Sequence, residues 1–390
     1  MPERARHVWW RDSHWRSIFA QALVLAALAG VAWWLAHNAI DALARRHVAS
    51  GFGFLDKTAG FSISQTLIDY SEEMSYGRAM WVGLLNTLLV SAVSIVLSTI
   101  LGFVIGIGRL SSNWLVAKLC TVYIETLRNI PLLLQILFWY FGVLQALPPP
   151  RESIALGEWL VLNNRGVSVP EVIFERGSWI VTIGLVFGLI ASFALYRWAQ
   201  LRQQRTGKRP VVWWAMPLLI VGLPAAATFA LGHPFSLSWP ELTGFSYEGG
   251  LSLNPELAGM TIGLSIYTAA YIAEIVRAGL LSVARGQREA AEALGLTRGR
   301  VLRLVLIPQA MRVIIPPLAS EYLSLTKNSS LAIAIGYPDL VSVFAGTVLN
   351  QTGQAIEILS ITMAIYLALS LITSGLMNWY NHAHRLEGTA

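Results

Sequence analysis

GQREAAEALGLTRGRVLRLVLIPQAMRVIIPP, residues 286–317, interrupts a chain that is otherwise mostly apolar. Its first ten residues space Gln287, Ala290, Ala291 and Leu294 three or four apart, so they share one helical face and make a narrow, smooth stripe. Glu289 and Glu292 lie beside the stripe, near the expected helix start, where negative charge is favoured. Gly295 stands where a left-handed residue ends a helix, and TRGRVLRL begins a second short helix that returns to Ile307 and Pro308. Small side chains suit a helix that seats deeply in a partner's cleft; an ordinary amphipathic surface helix fits the pattern equally well.

What surrounds this stretch decides where it sits. Only 13% of the 390 residues are charged and 55% are hydrophobic, and a soluble domain of this length needs more charge on its surface. Mean hydropathy is +0.56. The expected fold is therefore an all-α integral membrane protein. Runs long enough to cross roughly 30 Å of hydrocarbon fall at about 17–36, 80–108, 116–147, 179–198, 211–232, 257–281, 303–325 and 356–379, giving about eight transmembrane helices. Pro308, Pro316 and Pro317 interrupt the seventh run, and SSLAIAIGYPDLVSVFAGTVL (329–349) reads as a re-entrant or interfacial element. The basic segment RARHVWWRDSHWR precedes the apolar run from Ile18 to Leu35 with no small-residue cleavage site after it, so it reads as an uncleaved first span.

Charge sets the expected orientation. With both termini in the cytoplasm, eighteen of the 28 Lys and Arg residues fall inside, seven outside and three within spans, as the positive-inside rule favours. This puts 282–303 on the cytoplasmic side. The chain divides into an N-terminal extension (1–79), a first core part (80–148), an insertion carrying two further spans (149–254) and a second core part (255–390). The two spans of the insertion hold almost no polar residues and read as lipid-facing. Gly102 and Gly106 sit four apart, as a close helix contact wants, although glycine is simply common in membrane helices.

Several function classes find no support. Clustered basic and aromatic recognition elements are absent, which argues against nucleic acid. Cys120 is the one cysteine, so disulfides within the chain are excluded. The seven histidines show no metal-ligand spacing, and His382 and His384 read as solvated tail residues. TGKRP (206–210) lacks the upstream glycine and following Ser/Thr of a phosphate-binding loop, and no nucleophile elbow frames the serines. No catalytic residue, metal or cofactor is expected, and any ATP hydrolysis belongs to another subunit.

Ionisable groups near a bilayer centre cost about 2.5–3.5 kcal/mol each and so are paired, hydrated or functional. Glu125 and Arg128, and Glu274 and Arg277, are each three apart and can meet on one helical face. They are candidates for a path that carries zwitterions, or else pairs that only neutralise each other. Lys327 and Asn328, after the proline-interrupted span, are similar candidates, because transporters often place sites at broken helices. These charges suit a self-contained secondary transporter equally, but no inverted repeat is apparent and such a transporter has no use for the 286–295 helix.

GQREAAEALG followed by VLIP resembles the EAA loop of permease subunits of ATP-binding-cassette importers, with Gly286, Glu289, Ala290, Ala291 and Gly295 matching the motif. The stretches 83–111, 123–142, 271–295 and 308–336 resemble the polar amino acid permease group. The added first span and the insertion resemble the longer permeases of general L-amino acid importers. The resemblance implies a five-helix type I permease core in a bacterial inner membrane. It also implies an ABC ATPase dimer gripping Gly286–Gly295, a second permease, most simply a related but different chain, and a periplasmic amino-acid-binding protein. ATP would be bound by the ATPase partner.

Overall fold

The computed structural model describes residues 13–45, 51–157, 159–175, 177–207, 210–230, 235–244 and 246–383. The basic segment before residue 13, Lys208, Arg209, and the tail from His384 on, Arg385 included, lie outside the described residues.

The expected apolar runs all form helices. They are α1 (Ser13–Arg45), α2 (Tyr76–Arg109), α3 (Trp114–Asn129) with α4 (Leu132–Leu137), α5 (Ser178–Thr206), α6 (Ala215–Ala230), α7 (Pro255–Leu281), α10 (Ile307–Asn328) and α12 (Ala355–Ala383). Between α7 and α10 lie the short helices α8 (Arg285–Ala293) and α9 (Arg298–Val301), and α11 (Leu349–Thr352) precedes α12. Among the described residues, six helices are long and apolar enough to cross a membrane. The expected third span is bent by 108° between α3 and the α4 segment, and α6 is shorter than the rest. Pro131 causes the bend: it has no N–H and disfavours helical backbone at Ile130 before it.

The sequence reading of Pro316 and Pro317 as a break is corrected, since both lie inside a continuous α10. Burial holds this helix together. Ile314 and Leu318 flank the prolines and pack with Ile272, Val276 and Ala310 in one apolar cluster. Pro308 has a local effect instead: the backbone widens into a π turn over Leu302–Leu306, in which Ile307 N–H donates to Leu302 O. The wider turn makes room for a ring that would otherwise strike the carbonyl four residues back.

The chain forms two compact units, residues 1–121 with 271–390, and residues 122–270. In the first, α2 packs on the end of α7 through Gly106, where a Cβ would lie 2.6 Å from Ala273 O, and α7 meets Ile314 of α10 through Gly279. Gly106 is thus a true close contact. Residues 329–349 fold back against α2: a 3₁₀ stretch, Ser329–Ile335, ends at left-handed Gly336, and a π stretch, Val341–Val348, follows. Asn86 Nδ2 donates to Pro338 O and Gln65 O, both at 2.9 Å, and Thr87 Oγ accepts from Leu340 N–H at 3.0 Å. Tyr337 OH donates in turn to Asn86 O, and buried Asp339 accepts from Ser342 N–H and Tyr366 OH. Residues 51–75 close over this region, with Phe54 and Tyr76 in the same apolar cluster as Leu340, Phe344 and Ile358.

In the second unit the bend before α4 is capped by Gln135, whose Nε2 donates to Leu127 O at 2.8 Å and Ile130 O at 3.0 Å. Here α4 lies against α7 through Gly263, where a Cβ would sit 3.2 Å from Ile136 Cα. The insertion adds strands that the sequence reading did not anticipate. They are β1 (Ile154–Leu156), β2 (Leu160–Asn163), β3 (Gly166–Val169), β4 (Glu171–Phe174), β5 (Phe235–Ser238), β6 (Glu241–Thr243), β7 (Ser246–Glu248) and β8 (Leu251–Leu253). One antiparallel sheet runs β1-β2-β3-β8, and β4–β5 and β6–β7 form separate pairs. The hairpin of α5 and α6 leaves and re-enters through β4–β5.

Replacing Gly106 with valine should therefore lower the thermal stability of the detergent-solubilised protein, by about 1–3 kcal/mol for an overpacked contact. Gly375→Ala, where an added Cβ meets nothing within 4 Å, should leave it unchanged. Equal melting curves for the two variants would contradict the α2–α7 contact.

Candidate functional site

Helix α8 starts after Ala284 and ends as the sequence suggests. Gly295 takes a left-handed φ of +76°, its N–H donates to Glu292 O at 2.9 Å, and Leu296 N–H reaches Ala291 O at 3.3 Å. Any L side chain at Gly295 would be strained by its backbone alone. Gly286 is different: its φ is not positive, and an added Cβ would meet nothing within 4 Å. The fold makes no demand on Gly286.

The stripe expected on α8 is divided. Ala291 is only 4% exposed and turns into the chain itself, while α8 packs against both α9 and the Leu302–Leu306 turn. Gln287, Ala290 and Glu289 are exposed, and Leu294 is 82% exposed, so an apolar tip stands in the open. A weak contact of 3.5 Å from Gln309 Nε2 to Gln287 Oε1 ties α8 to the start of α10. Neither acid lies at the helix start as expected: Glu289 sits in the middle of α8, and Glu292 lies next to its last residue, at the end where its charge is disfavoured. Its partner offsets this, since Arg288 Nε donates to Glu292 Oε1 at 2.9 Å one turn earlier.

Of the intramembrane charges, Glu274 and Arg277 do meet, with Arg277 Nε and Nη2 donating to the two carboxylate oxygens at 3.0 and 2.5 Å. A third member was missed. Arg109, the last residue of α2, donates to Glu274 Oε2 at 2.6 Å, so one carboxylate bridges two arginines and ties α2 to α7. The sequence places Arg109 at a span end, and nothing local could signal a partner 165 residues away. Glu125 and Arg128 are both exposed on α3. Lys327 and Asn328 close α10, and Lys327 lines a cleft of about 370 Å³ with Ser330, Val341, Tyr366, Leu367 and Ser370. Among the described residues no cluster of His, Cys, Asp and Glu is placed to hold a metal ion.

Residues 209–385 match the family described as binding-protein-dependent transport system inner membrane component. The chain is 54% identical over 370 residues to the general L-amino acid transport system permease protein AapQ of Rhizobium johnstonii, covering 95% of this chain and 92% of that protein. It is 51% identical to the putative amino-acid ABC transporter permease protein YhdX of Escherichia coli, over 94% of this chain and 93% of that one. It is 42% identical to the glutamate/glutamine/aspartate/asparagine transport system permease protein BztB of Rhodobacter capsulatus, over 96% and 95%. A solved amino acid ABC transporter with histidines aligns with 79% of this chain and 95% of its own, at 22% identity and a TM-score of 0.48. With over half of its residues identical to a permease along nearly its whole length, the chain belongs to the permease family of ATP-binding-cassette transport systems: a membrane transport subunit, not an enzyme.

Proposed function

We propose that this chain forms half of the membrane pore of an importer for polar L-amino acids in a bacterial inner membrane, driven by ATP hydrolysis on a separate ATPase dimer. The carrying observation is α8, a short helix with Gln287, Ala290 and Leu294 open to solvent while Ala291 anchors it. A self-contained transporter has no use for such a display, and the relatives named above give a secondary mechanism no support. Their printed names specify general L-amino acids and acidic amino acids with their amides, which supports a broad polar substrate range. A periplasmic binding protein delivers the substrate and a second, related permease completes the pore. Both termini and α8 face the cytoplasm, in keeping with the charge bias of the loops. ATP binds the partner, and this chain carries no cofactor.

The coupling route follows from continuity. A four-residue turn, 294–297, links α8 to α9, and from there the backbone runs through the π turn into α10 with no loop between, while α8 packs on that π turn. A push on α8 therefore moves α10, and Gly279 and Gly106 pass that motion to α7 and α2 by backbone-level contact. Lys327 stands about 30 Å along α10 from Ile307, at 1.5 Å per residue. Its ammonium, with the hydroxyls of Ser330 and Ser370 in the same cleft, suits the carboxylate of an amino acid. Glu274 serves differently: two arginines already occupy its carboxylate, so it acts as a clamp between α2 and α7.

The overall reading is tested by tagging the chain, expressing it with the genes beside its own, and assaying the purified complex for ATP hydrolysis stimulated by amino acids and binding protein. A chain that purifies alone and moves amino acids into ATP-free vesicles under an ion gradient would overturn it. Within the complex, Leu294→Asp should leave insertion and melting temperature unchanged while abolishing stimulated ATP hydrolysis. Ala291→Trp should instead destabilise this chain by about 1–3 kcal/mol. Normal stimulation in Leu294→Asp would remove the docking face from α8. Glu274→Gln should lower stability by about 1–3 kcal/mol, as loss of charged hydrogen bonds does, and reduce uptake of acidic, neutral and basic amino acids in the same proportion. Loss confined to one charge class would place Glu274 on the substrate path.

A further inference from the structure

The formal net charge of the protein is +6, from 28 basic and 22 acidic residues. All of that excess sits in one place. From residue 176 to 240 there is no Asp or Glu, while Arg176, Arg197, Arg202, Arg205, Lys208 and Arg209 fall there, leaving 22 basic against 22 acidic residues in the rest of the chain. Five of the six crowd into residues 197–209, and of these Arg197, Arg202 and Arg205 lie on the end of α5. Membrane orientation responds to Lys and Arg and is nearly indifferent to acids, so topology alone gives no reason to exclude Asp and Glu. The α8–α9 segment illustrates this, because there Glu289 and Glu292 stand among the arginines.

The hairpin is closed on its inner side and open outside. Its helices pack at backbone distance through Gly188, whose Cβ would strike Leu219 O, and Ser192 Oγ donates to Met216 O at 3.2 Å. On the outer side of α5, Arg197, Trp198, Arg202 and Arg205 fall within an arc of roughly 140°, at 100° per residue, and all four are exposed. The Arg202 guanidinium lies over the Trp198 ring at 5.2 Å, which orients it without neutralising it. Beside this arc Tyr196, Pro210, Val211, Val212, Trp213 and Met216 line an apolar cleft of about 490 Å³. Tryptophan at the end of a membrane helix marks the headgroup level.

We propose that this end of α5 is a binding surface for anionic phospholipid, with the arginine arc holding the phosphate and the neighbouring cleft accepting an acyl chain. Charge complementarity selects the occupant, because a zwitterionic lipid gains nothing from an acid-free cluster whereas an anionic headgroup gains from each cation near it. The proposal needs only that the chain lies in a membrane, so it stands or falls separately from the transported substrate.

The test is lipid retention by the full complex, delipidated in neutral detergent, given phosphatidylglycerol or phosphatidylcholine and read by native mass spectrometry. Wild type should retain phosphatidylglycerol in preference to phosphatidylcholine, and raised salt should release it. The triple variant Arg197→Gln, Arg202→Gln, Arg205→Gln should bind phosphatidylglycerol on the order of a hundredfold more weakly, given about fivefold per cation near an anionic surface. The matching Arg→Lys triple should keep it. Removing Lys57 and Arg165, which lie outside the hairpin, should change nothing. Equal retention of the two lipids by wild type, indifference to salt, or an unaltered Gln triple would each overturn the proposal, and the first two do not depend on any variant folding.

Discussion

Asn86 and Gln135 hold two of the places where this membrane protein stops being a regular helix. In hydrocarbon every backbone N–H and C=O must find a partner within the protein, which is why helices dominate such chains. A bend or re-entrant turn frees several of these groups at once. At the α3–α4 bend one carboxamide, that of Gln135, answers the carbonyls of Leu127 and Ile130. At residues 336–341 the carboxamide of Asn86 and the hydroxyl of Thr87 do the same for Pro338 and Leu340. The fold of residues 329–349, which carries Ser330 and Val341 of the cleft beside Lys327, is held by Asn86 and Thr87.

The glycines solve the complementary problem. Once the breaks are secured, α2, α7 and α10 must approach closely, because dispersion forces in lipid reward only intimate contact. Gly106 and Gly279 remove the side chains that would hold the helices apart. The Arg109–Glu274–Arg277 cluster adds a polar, partly buried fastening where α2 ends.

Much of this was legible in the residues. Eight apolar runs became helices because hydrophobic length is a strong signal, and the end of α8 at Gly295 followed from a cap that few residues can form. The failures have separate physical causes. Pro316 and Pro317 read as a break, yet packing of Ile314 and Leu318 outweighs two missing N–H groups. The strands of the insertion are three or four residues long, too short for alternation to stand out among turn residues. Arg109 escaped because its partner is tertiary, and the stripe on α8 split because the sequence specifies a face but not which side of it the chain's own following turns cover.

The pairing of β3 with β8 has a further implication. Val167 stands opposite Leu253 and Val169 opposite Leu251, so the chain departs from this sheet and comes back to it about 5 Å away, the spacing of antiparallel neighbours. Whatever lies between is an excursion whose ends are fastened together by the sheet. The entropy of closing it then grows only with the logarithm of its length. Such a stitched loop is a natural module: lineages can lengthen, trim or recast it, and an engineer can splice a reporter into it, while the flanking strands keep their register.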